Sequence, residues 1–168
     1  LAAESRFNSI RLEAIFHAIA DSIIEYDPAG TVLRANAAAV ENVGAPLVGL
    51  TRAEVSLVIS LRYPDGTPVP VDRMPSRRVM QGETIVHEIY KYTKVSTGEE
   101  KTQMVSAVPL KGQEGELSGA VVTWTDITQL EKAIQVQEEL LAENNRQKEL
   151  LERLVREAPA GIAFLDGP

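Results

Sequence analysis

Three consecutive runs of alternating residues decide the fold of this chain: TIVHEIYKYTKV (84–95), KTQMVSAVPL (101–110) and SGAVVTWTD (118–126). Apolar and polar side chains alternate in each run with a period of two, which is typical of strands with one buried face. The connections STGEE (96–100) and KGQEGEL (111–117) contain turn-forming residues. The runs therefore predict an antiparallel meander of three strands.

A hairpin is predicted before this meander. In DSIIEYDPAGTVLRANAAA (21–39), two apolar runs flank a turn of the type Asp-Pro-Ala-Gly. The hairpin raises the predicted number of strands to five. The segment between Asn36 and Thr84 is broken by prolines, so we expect short helices and loops there, including one that Asp72 caps, that contains Pro75 and that ends at Gly82.

An amphipathic helix is predicted at the N-terminus, in NSIRLEAIFHAIADSII (8–24). Its apolar residues recur at the spacing of one helix face, with Ser9 as a candidate cap. The apolar residues of this face are Leu12, Ile15, Phe16 and Ile19.

A second, much longer helix is predicted after the last strand. It lacks Gly and Pro before Pro159, and it can start with a capping box at Asp126 or at Thr128. A heptad seam runs through Ile127, Leu130, Ile134, Gln137, Leu141, Asn144, Lys148, Leu151 and Val155. The apolar ends favour a coiled coil with a weak polar middle, and a solvated single helix is the alternative.

The composition excludes several kinds of site and partner. The chain of 168 residues has a formal charge of −7 and no cysteine. The charge argues against nucleic-acid and anionic-lipid partners, and the lack of cysteine excludes thiolate nucleophiles and Cys-ligated metals. Because no apolar run reaches the roughly 18 residues of a membrane span, we expect a cytoplasmic segment without membrane contact.

The end of the chain repeats its beginning. LERLVREAPAGIAFLDG (151–167) aligns with LEAIFHAIADSIIEYDP (12–28), with Leu151 matching Leu12 and Ile162 matching Ile23. Self-similarity of this kind indicates tandem copies of one module. We therefore expect an N-terminal helix (1–19), a central domain (20–127), a coiled-coil signalling helix (128–157) and the start of a second copy of the domain (158–168).

Residues 12–128 resemble a PAS domain of a prokaryotic sensor protein of the histidine-kinase type. The resemblance rests on the order of several motifs: RANAAA (34–39), YPDGTPVPVDRMPSRRVMQGE (63–83), SAVPL (106–110) and TDIT (125–128). It implies an α+β fold with a five-stranded antiparallel sheet, short helices over one face, and a cavity that holds a cofactor or small molecule in some members.

The last three strands resemble the flavin-binding photosensor branch, and this resemblance implies which side chains face the cavity. Continuing the alternation backwards along the first of these strands adds His87 and Ile89. The resulting pocket candidates are His87, Ile89, Thr93, Gln103, Val105, Ala107 and Trp124. The Cys-bearing helix motif of that branch is missing, so adduct chemistry is excluded.

Each of these candidates has a structural alternative. His87 could ligate iron, but a single strand histidine is more often structural. Trp124 could stack on a planar ligand or fill the cavity, and we favour filling. Arg73, Arg77 and Arg78 could bind an anion or form a solvated helix face. We expect neither haem, flavin nor metal, and leave open an unidentified small organic ligand.

The opposite face of the sheet is apolar enough to need a cover, which the N-terminal helix or a second subunit could provide. We therefore expect a homodimer, as the resemblance also implies. The candidate interface residues are Leu12, Ile15, Phe16, Ile19, Tyr90, Tyr92, Met104, Leu130, Ile134, Leu141, Asn144 and Leu151.

Two functions remain open at this stage. The first is a sensory PAS domain that passes a signal through Asp126, Ile127 and Thr128 into the helix, towards adjacent PAS and output domains of a two-component system. The second is a ligand-free module for dimerisation and protein interaction. No catalytic motif is present, so any enzymatic output lies outside these residues.

Overall fold

A computed structural model describes residues 2–158. These residues form two compact units, one extending up to Thr128 and one starting at Gln129. The predicted start of a second domain at 158–168 lies, apart from Ala158, outside the described residues. None of the described helices is both long and apolar enough to cross a lipid bilayer.

The first unit contains the predicted five-stranded sheet. Its strands are β1 (Ser22–Tyr26), β2 (Val32–Ala35), β3 (Ile85–Thr93), β4 (Glu100–Lys111) and β5 (Leu117–Asp126). Each neighbouring pair is antiparallel, and the spatial order is β2-β1-β5-β4-β3. The predicted hairpin and meander are thus confirmed, and β5 joins them by pairing with β1.

The helices are α1 (Ala2–Ala18), α2 (Ala37–Val43), α3 (Arg52–Val58), α4 (Pro75–Met80) and α5 (Thr128–Glu157), with a 3₁₀ turn at Val71–Arg73. The short helices α2, α3 and α4 bury Val43, Val55 and Val79 in the same core as the sheet. This arrangement confirms the predicted α+β class with short helices over one face.

One buried side chain joins three elements at the start of the domain. Asn36 is fully buried, and its Oδ1 accepts hydrogen bonds from the backbone amides of Ile23 and Ala39. Its Nδ2 donates to the carbonyl oxygens of Phe16, Ile19 and Asp21. Asn36 therefore caps α2 and fixes both β1 and the end of α1.

The N-terminal helix differs from the prediction at both ends. It is already helical at Ala2, so Ser9 lies inside it, and the Ser9 hydroxyl donates to the carbonyl of Ser5 instead of capping the helix. Ile19 follows the last helical residue. The apolar side chains of Leu12 and Ile15 are exposed in the single chain, and Phe16 is half-buried.

The second unit is a single helix. α5 continues without interruption to Glu157, as predicted. Its seam residues Leu130, Ile134, Leu141 and Leu151 are all exposed in the single chain.

Candidate functional site

A small cavity lies in the core of the first unit, between the sheet and the short helices. It has a volume of about 50 Å³, which is room for a few non-hydrogen atoms. Its apolar wall includes Val55, Ile59, Leu61, Val105 and Val122. The polar groups at the wall belong to Tyr26, Ser56, Ser76, Tyr92, Gln103 and Trp124.

Two buried tyrosines contribute hydroxyl groups to this wall. Burial raises the pKa of Tyr26 to about 12, although the neighbouring Ser76 hydroxyl and Arg52 act in the opposite direction. Burial also raises the pKa of Tyr92 to about 12, and its hydroxyl donates a 3.3 Å hydrogen bond to the carbonyl of Asn42. Both phenols are therefore neutral near physiological pH.

The indole of Trp124 also belongs to the wall. Its side chain is 4% exposed, and its Nε1–H has no hydrogen-bond partner. A buried donor of this kind is rare in folded proteins. Within residues 2–158, no other buried side-chain nitrogen or oxygen lacks a partner.

The predicted pocket residues of β4 and β5 lie on the expected face. Gln103, Val105 and Trp124 line the cavity, and Ala107 is buried on the same face of β4. This agreement follows from the regular pairing of the two strands between Gln103 and Leu110, in which Val105 lies opposite Trp124.

The predictions for β3 were wrong about the face of the sheet. Its pairing with β4 shifts between Ile85 and Glu88, where His87 adopts a φ of 53°. A bulge of this type inserts an extra residue, and every side chain beyond it changes face.

Five assignments on β3 are wrong, because the face that the resemblance implies for Thr93 is not the one observed and the backward count from Thr93 carries the same error. Tyr90 and Tyr92, predicted as outer-face dimer contacts, are each 2% exposed, and Tyr92 lines the cavity. His87 and Ile89, predicted as pocket residues, are exposed, and Thr93 is half-buried and does not line the cavity. Met104 is half-buried opposite Ile89, which is consistent with its predicted place on the outer face.

Arg78 connects α4 to the bulged strand. Its guanidinium binds Glu83 and Glu88 and also contacts the Tyr90 hydroxyl, which donates to Glu88. The hydrogen bonds from Arg78 lower the pKa of both carboxyl groups. Arg78 is therefore engaged within the domain, whereas Arg73 and Arg77 are exposed, as expected for a solvated face.

The predicted transmission residues form a compact junction at the end of β5. The Thr102 amide donates a 2.9 Å hydrogen bond to Oγ1 of Thr128, and the Ile127 amide donates a 2.9 Å bond to the Thr102 carbonyl. The Thr128 amide donates to Oδ1 of Asp126, also at 2.9 Å. Burial opposes ionisation of Asp126, but the hydrogen bonds from Thr128 and the nearby Lys101 keep its pKa below the usual range.

This junction is directly next to the cavity. Gln103, on the cavity wall, follows Thr102 in β4 and lies opposite Asp126 in the ladder. Sequence reasoning identified Asp126 and Thr128 as caps but missed Thr102, because only the strand register places it beside the start of the helix.

Solved structures of low sequence identity share this fold. A PAS domain of an HTR-like protein from Haloarcula marismortui has 18% identity and a TM-score of 0.53, over 75% of this chain and 98% of the other. A PAS domain from Colwellia psychrerythraea has 20% identity and a TM-score of 0.52, over 73% and 98%. A PAS domain from a two-component sensor histidine kinase has 12% identity and a TM-score of 0.51, over 73% and 98%.

A family match extends over most of the chain. No curated protein matches the sequence significantly. Residues 16–132, more than half of the chain, match the family described as PAS fold. These residues include the whole sheet, the cavity and the junction at Thr128. The chain therefore belongs to the PAS family, whose members act as sensory and regulatory modules.

Proposed function

We propose that this chain is a sensory segment of a cytoplasmic signalling protein, in which occupation of the cavity changes the start of α5. The observation that carries this proposal is the junction described above. Gln103 at the cavity wall is the next residue after Thr102, whose amide and carbonyl bind Thr128 and Ile127. A ligand that moves this part of β4 also moves the two groups that hold the first turn of the helix.

The coupling can act because the junction is small and specific. It consists of two backbone groups of Thr102, one hydroxyl and the Asp126 carboxylate. A ligand shifts such an equilibrium only by its difference in affinity for the two states. Changes of a few tenths of an ångström in the three junction hydrogen bonds of about 2.9 Å would be the response at the start of α5.

The test uses neighbouring residues on opposite faces of β5. Val122 lines the cavity, whereas Val121 is half-buried on the other face. Val122→Ile adds one methyl group to the cavity, and we expect it to change amide hydrogen exchange at Ile127 and Thr128 by about threefold or more. Val121→Ile is the control and leaves these amides unchanged. Equal changes in amide hydrogen exchange in the two variants would contradict the proposal.

The signal leaves through a dimeric coiled coil in this proposal. The exposed residues Leu130, Ile134, Leu141 and Leu151 keep heptad spacing along α5, which is the pattern of a two-stranded seam. The exposed apolar residues of α1, including Leu12 and Ile15, would add to the same homodimer. Adjacent PAS and output domains of the same protein, of the two-component type, would receive the signal.

The alternative is a ligand-free interaction module, which the small cavity of about 50 Å³ favours. The same volume supports the expectation that neither haem nor flavin is bound. An absorption spectrum of freshly purified protein tests this expectation, since a Soret or flavin band would contradict it. Unchanged amide exchange in Val122→Ile, with a dimer retained, would favour the interaction module.

A further inference from the structure

The cavity is suited to an uncharged occupant. Among the described residues that line it, none is Asp, Glu, Lys, Arg or His. A charged group enclosed there would lose its hydration without gaining an ionic partner, which is strongly unfavourable. The phenols of Tyr26 and Tyr92 add no charge, because burial raises the pKa of each to about 12.

The occupant also needs a hydrogen-bond acceptor. The indole Nε1–H of Trp124 lacks a partner within residues 2–158 although the side chain is 4% exposed. An indole nitrogen can only donate, so its missing partner is an acceptor. Leaving such a donor unpaired in the core is unfavourable by about 1–3 kcal/mol in typical proteins.

The hydroxyl groups nearby are already engaged. The Tyr92 hydroxyl donates to the Asn42 carbonyl at 3.3 Å, and the Ser56 hydroxyl donates to the Ala53 carbonyl at 2.6 Å. The Tyr26 hydroxyl is next to the hydroxyl of Ser76. Trp124 is thus the wall residue whose donor is fully buried and has no partner within residues 2–158, and the carboxamide of Gln103 is a further polar group of the same wall.

We propose that the cavity binds a neutral organic molecule of a few non-hydrogen atoms, whose carbonyl, ether or ring-nitrogen acceptor receives a hydrogen bond from Nε1 of Trp124. This inference rests on the proposed sensory function and names the class of ligand that it requires. The volume of about 50 Å³ limits the size of the ligand. The absence of charged side chains from the wall favours a neutral molecule, and the indole N–H requires a hydrogen-bond acceptor on it.

Two probes of nearly equal shape test the inference on the 168-residue chain. Tetrahydrofuran carries an ether acceptor, whereas cyclopentane has the same ring size and no acceptor. Trp124 is the only tryptophan, so ¹⁵N-labelled protein gives a single indole N–H resonance. We expect saturating tetrahydrofuran to move this proton resonance downfield and cyclopentane to leave it without a downfield shift. An indole resonance that does not respond to tetrahydrofuran, or that responds equally to both probes, would overturn the inference.

Trp124→Phe provides the matched variant. It removes the N–H while keeping an aromatic ring, and binding is followed at the backbone amides of Val105 and Val122. Because water hydrates the ether and not cyclopentane, the ratio of the two affinities is compared between the two proteins. We expect Trp124→Phe to weaken tetrahydrofuran about tenfold relative to cyclopentane, equivalent to about 1.4 kcal/mol, and an unchanged ratio would contradict the role of Nε1. If the variant does not fold, the responses of the indole resonance to the two probes decide alone.

The same titration separates this inference from the proposed function. Selective binding of tetrahydrofuran without any change in amide exchange at Ile127 and Thr128 would support the ligand class and contradict the coupling. Altered exchange in Val122→Ile together with an indole resonance that does not respond to tetrahydrofuran would support the coupling and overturn the ligand class.

Discussion

Arg78 of α4 holds Glu88 of β3 by two hydrogen bonds, 2.6 Å from Nη1 to Oε2 and 2.8 Å from Nη2 to Oε1. Such paired bonds between a guanidinium and a carboxylate are strong and directional. Because Pro75 and Ser76 of the same helix line the cavity, the pair fastens one wall of the cavity to the sheet.

Replacing Arg78 should loosen this wall. Arg78→Met keeps the length of the side chain and removes the charged bonds, and we expect it to lower the free energy of unfolding by about 1 kcal/mol after allowing for the partial exposure of Glu88. Denaturant unfolding measures this change. Arg77→Met is the control, because Arg77 is exposed on the same helix, and its effect should stay within about 0.5 kcal/mol. Equal losses in the two variants would show that the pair with Glu88 is not the cause.

The same pair predicts a dependence of stability on pH. Hydrogen bonds from Arg78 lower the pKa of Glu88 and Glu83 in the folded protein, so the unfolded chain binds protons more readily than the folded one. Their contribution is therefore complete above the ordinary glutamate pKa of about 4.3 and is lost as the pH falls through the lower folded values. Unfolding curves between about pH 7 and pH 3 should show a smaller loss of stability in Arg78→Met than in the natural sequence. Parallel curves would contradict this assignment.

The bulge in β3 shows where sequence reasoning succeeds and where it fails. Alternation assigns the faces of β4 and β5 correctly because their pairing is regular around Val105 and Trp124. The alternation in TIVHEIYKYTKV looks equally regular, yet the extra residue beside His87 reverses its second half. No glycine or asparagine marks the position of positive φ, and histidine, although it adopts positive φ more often than most residues, is too weak a signal to predict a bulge.

Asn36 illustrates a second limit of sequence reasoning. An asparagine before a run of alanines indicates a helix cap, which is what the structure contains. Its three bonds to the carbonyls of Phe16, Ile19 and Asp21 depend on the direction in which α1 ends. No pattern of residue types encodes that direction, so the role of Asn36 in joining α1 to the sheet emerges only in three dimensions.

Removing the Asn36 side chain should destabilise the domain severely. Asn36→Ala leaves the buried amide of Ala39, the partly buried amide of Ile23 and several carbonyl oxygens without the Asn36 side chain as a partner, and we expect a loss of about 3 kcal/mol. Thermal or denaturant unfolding gives the value. Asn8→Ala in exposed α1 is the matched control and should change stability by less than about 0.5 kcal/mol. A loss at Asn36 no larger than that of the control would contradict its structural role.

Replacing the bulge residue His87 by glycine should stabilise the domain. His87 has a φ of 53° and is exposed, so its side chain contributes backbone strain and little packing. We expect His87→Gly to raise the free energy of unfolding by about 1 kcal/mol, because glycine adopts positive φ without a steric penalty. His87→Ala keeps the strain and serves as the control. A clear loss of stability in His87→Gly would mean that the imidazole itself stabilises the bulge.

The heptad seam of α5 predicts a dimer that is held weakly at its middle. Its apolar ends include Leu130 and Leu151, whose side chains are 59% and 62% exposed in the single chain, and Asn144 lies between them. A polar residue at a seam position fixes register but lowers dimer stability, so Asn144→Leu should lower the dissociation constant by about tenfold, or about 1.4 kcal/mol. Sedimentation equilibrium of the two proteins measures this difference.

A glutamine on the outer face of α5 supplies the control for this last experiment. Gln135 is exposed and follows the seam residue Ile134 at a heptad position that points away from the partner helix, so Gln135→Leu adds an apolar group to α5 without placing it between the two helices. We expect its dissociation constant to remain within about twofold of the natural one. If both variants lower the dissociation constant equally, the helices associate through nonspecific hydrophobic contacts and not through the heptad seam. If the natural chain stays monomeric at high concentration and Asn144→Leu does not change this, α5 is only a tether, and a signal from the junction at Thr128 would have to leave the domain without a partner helix.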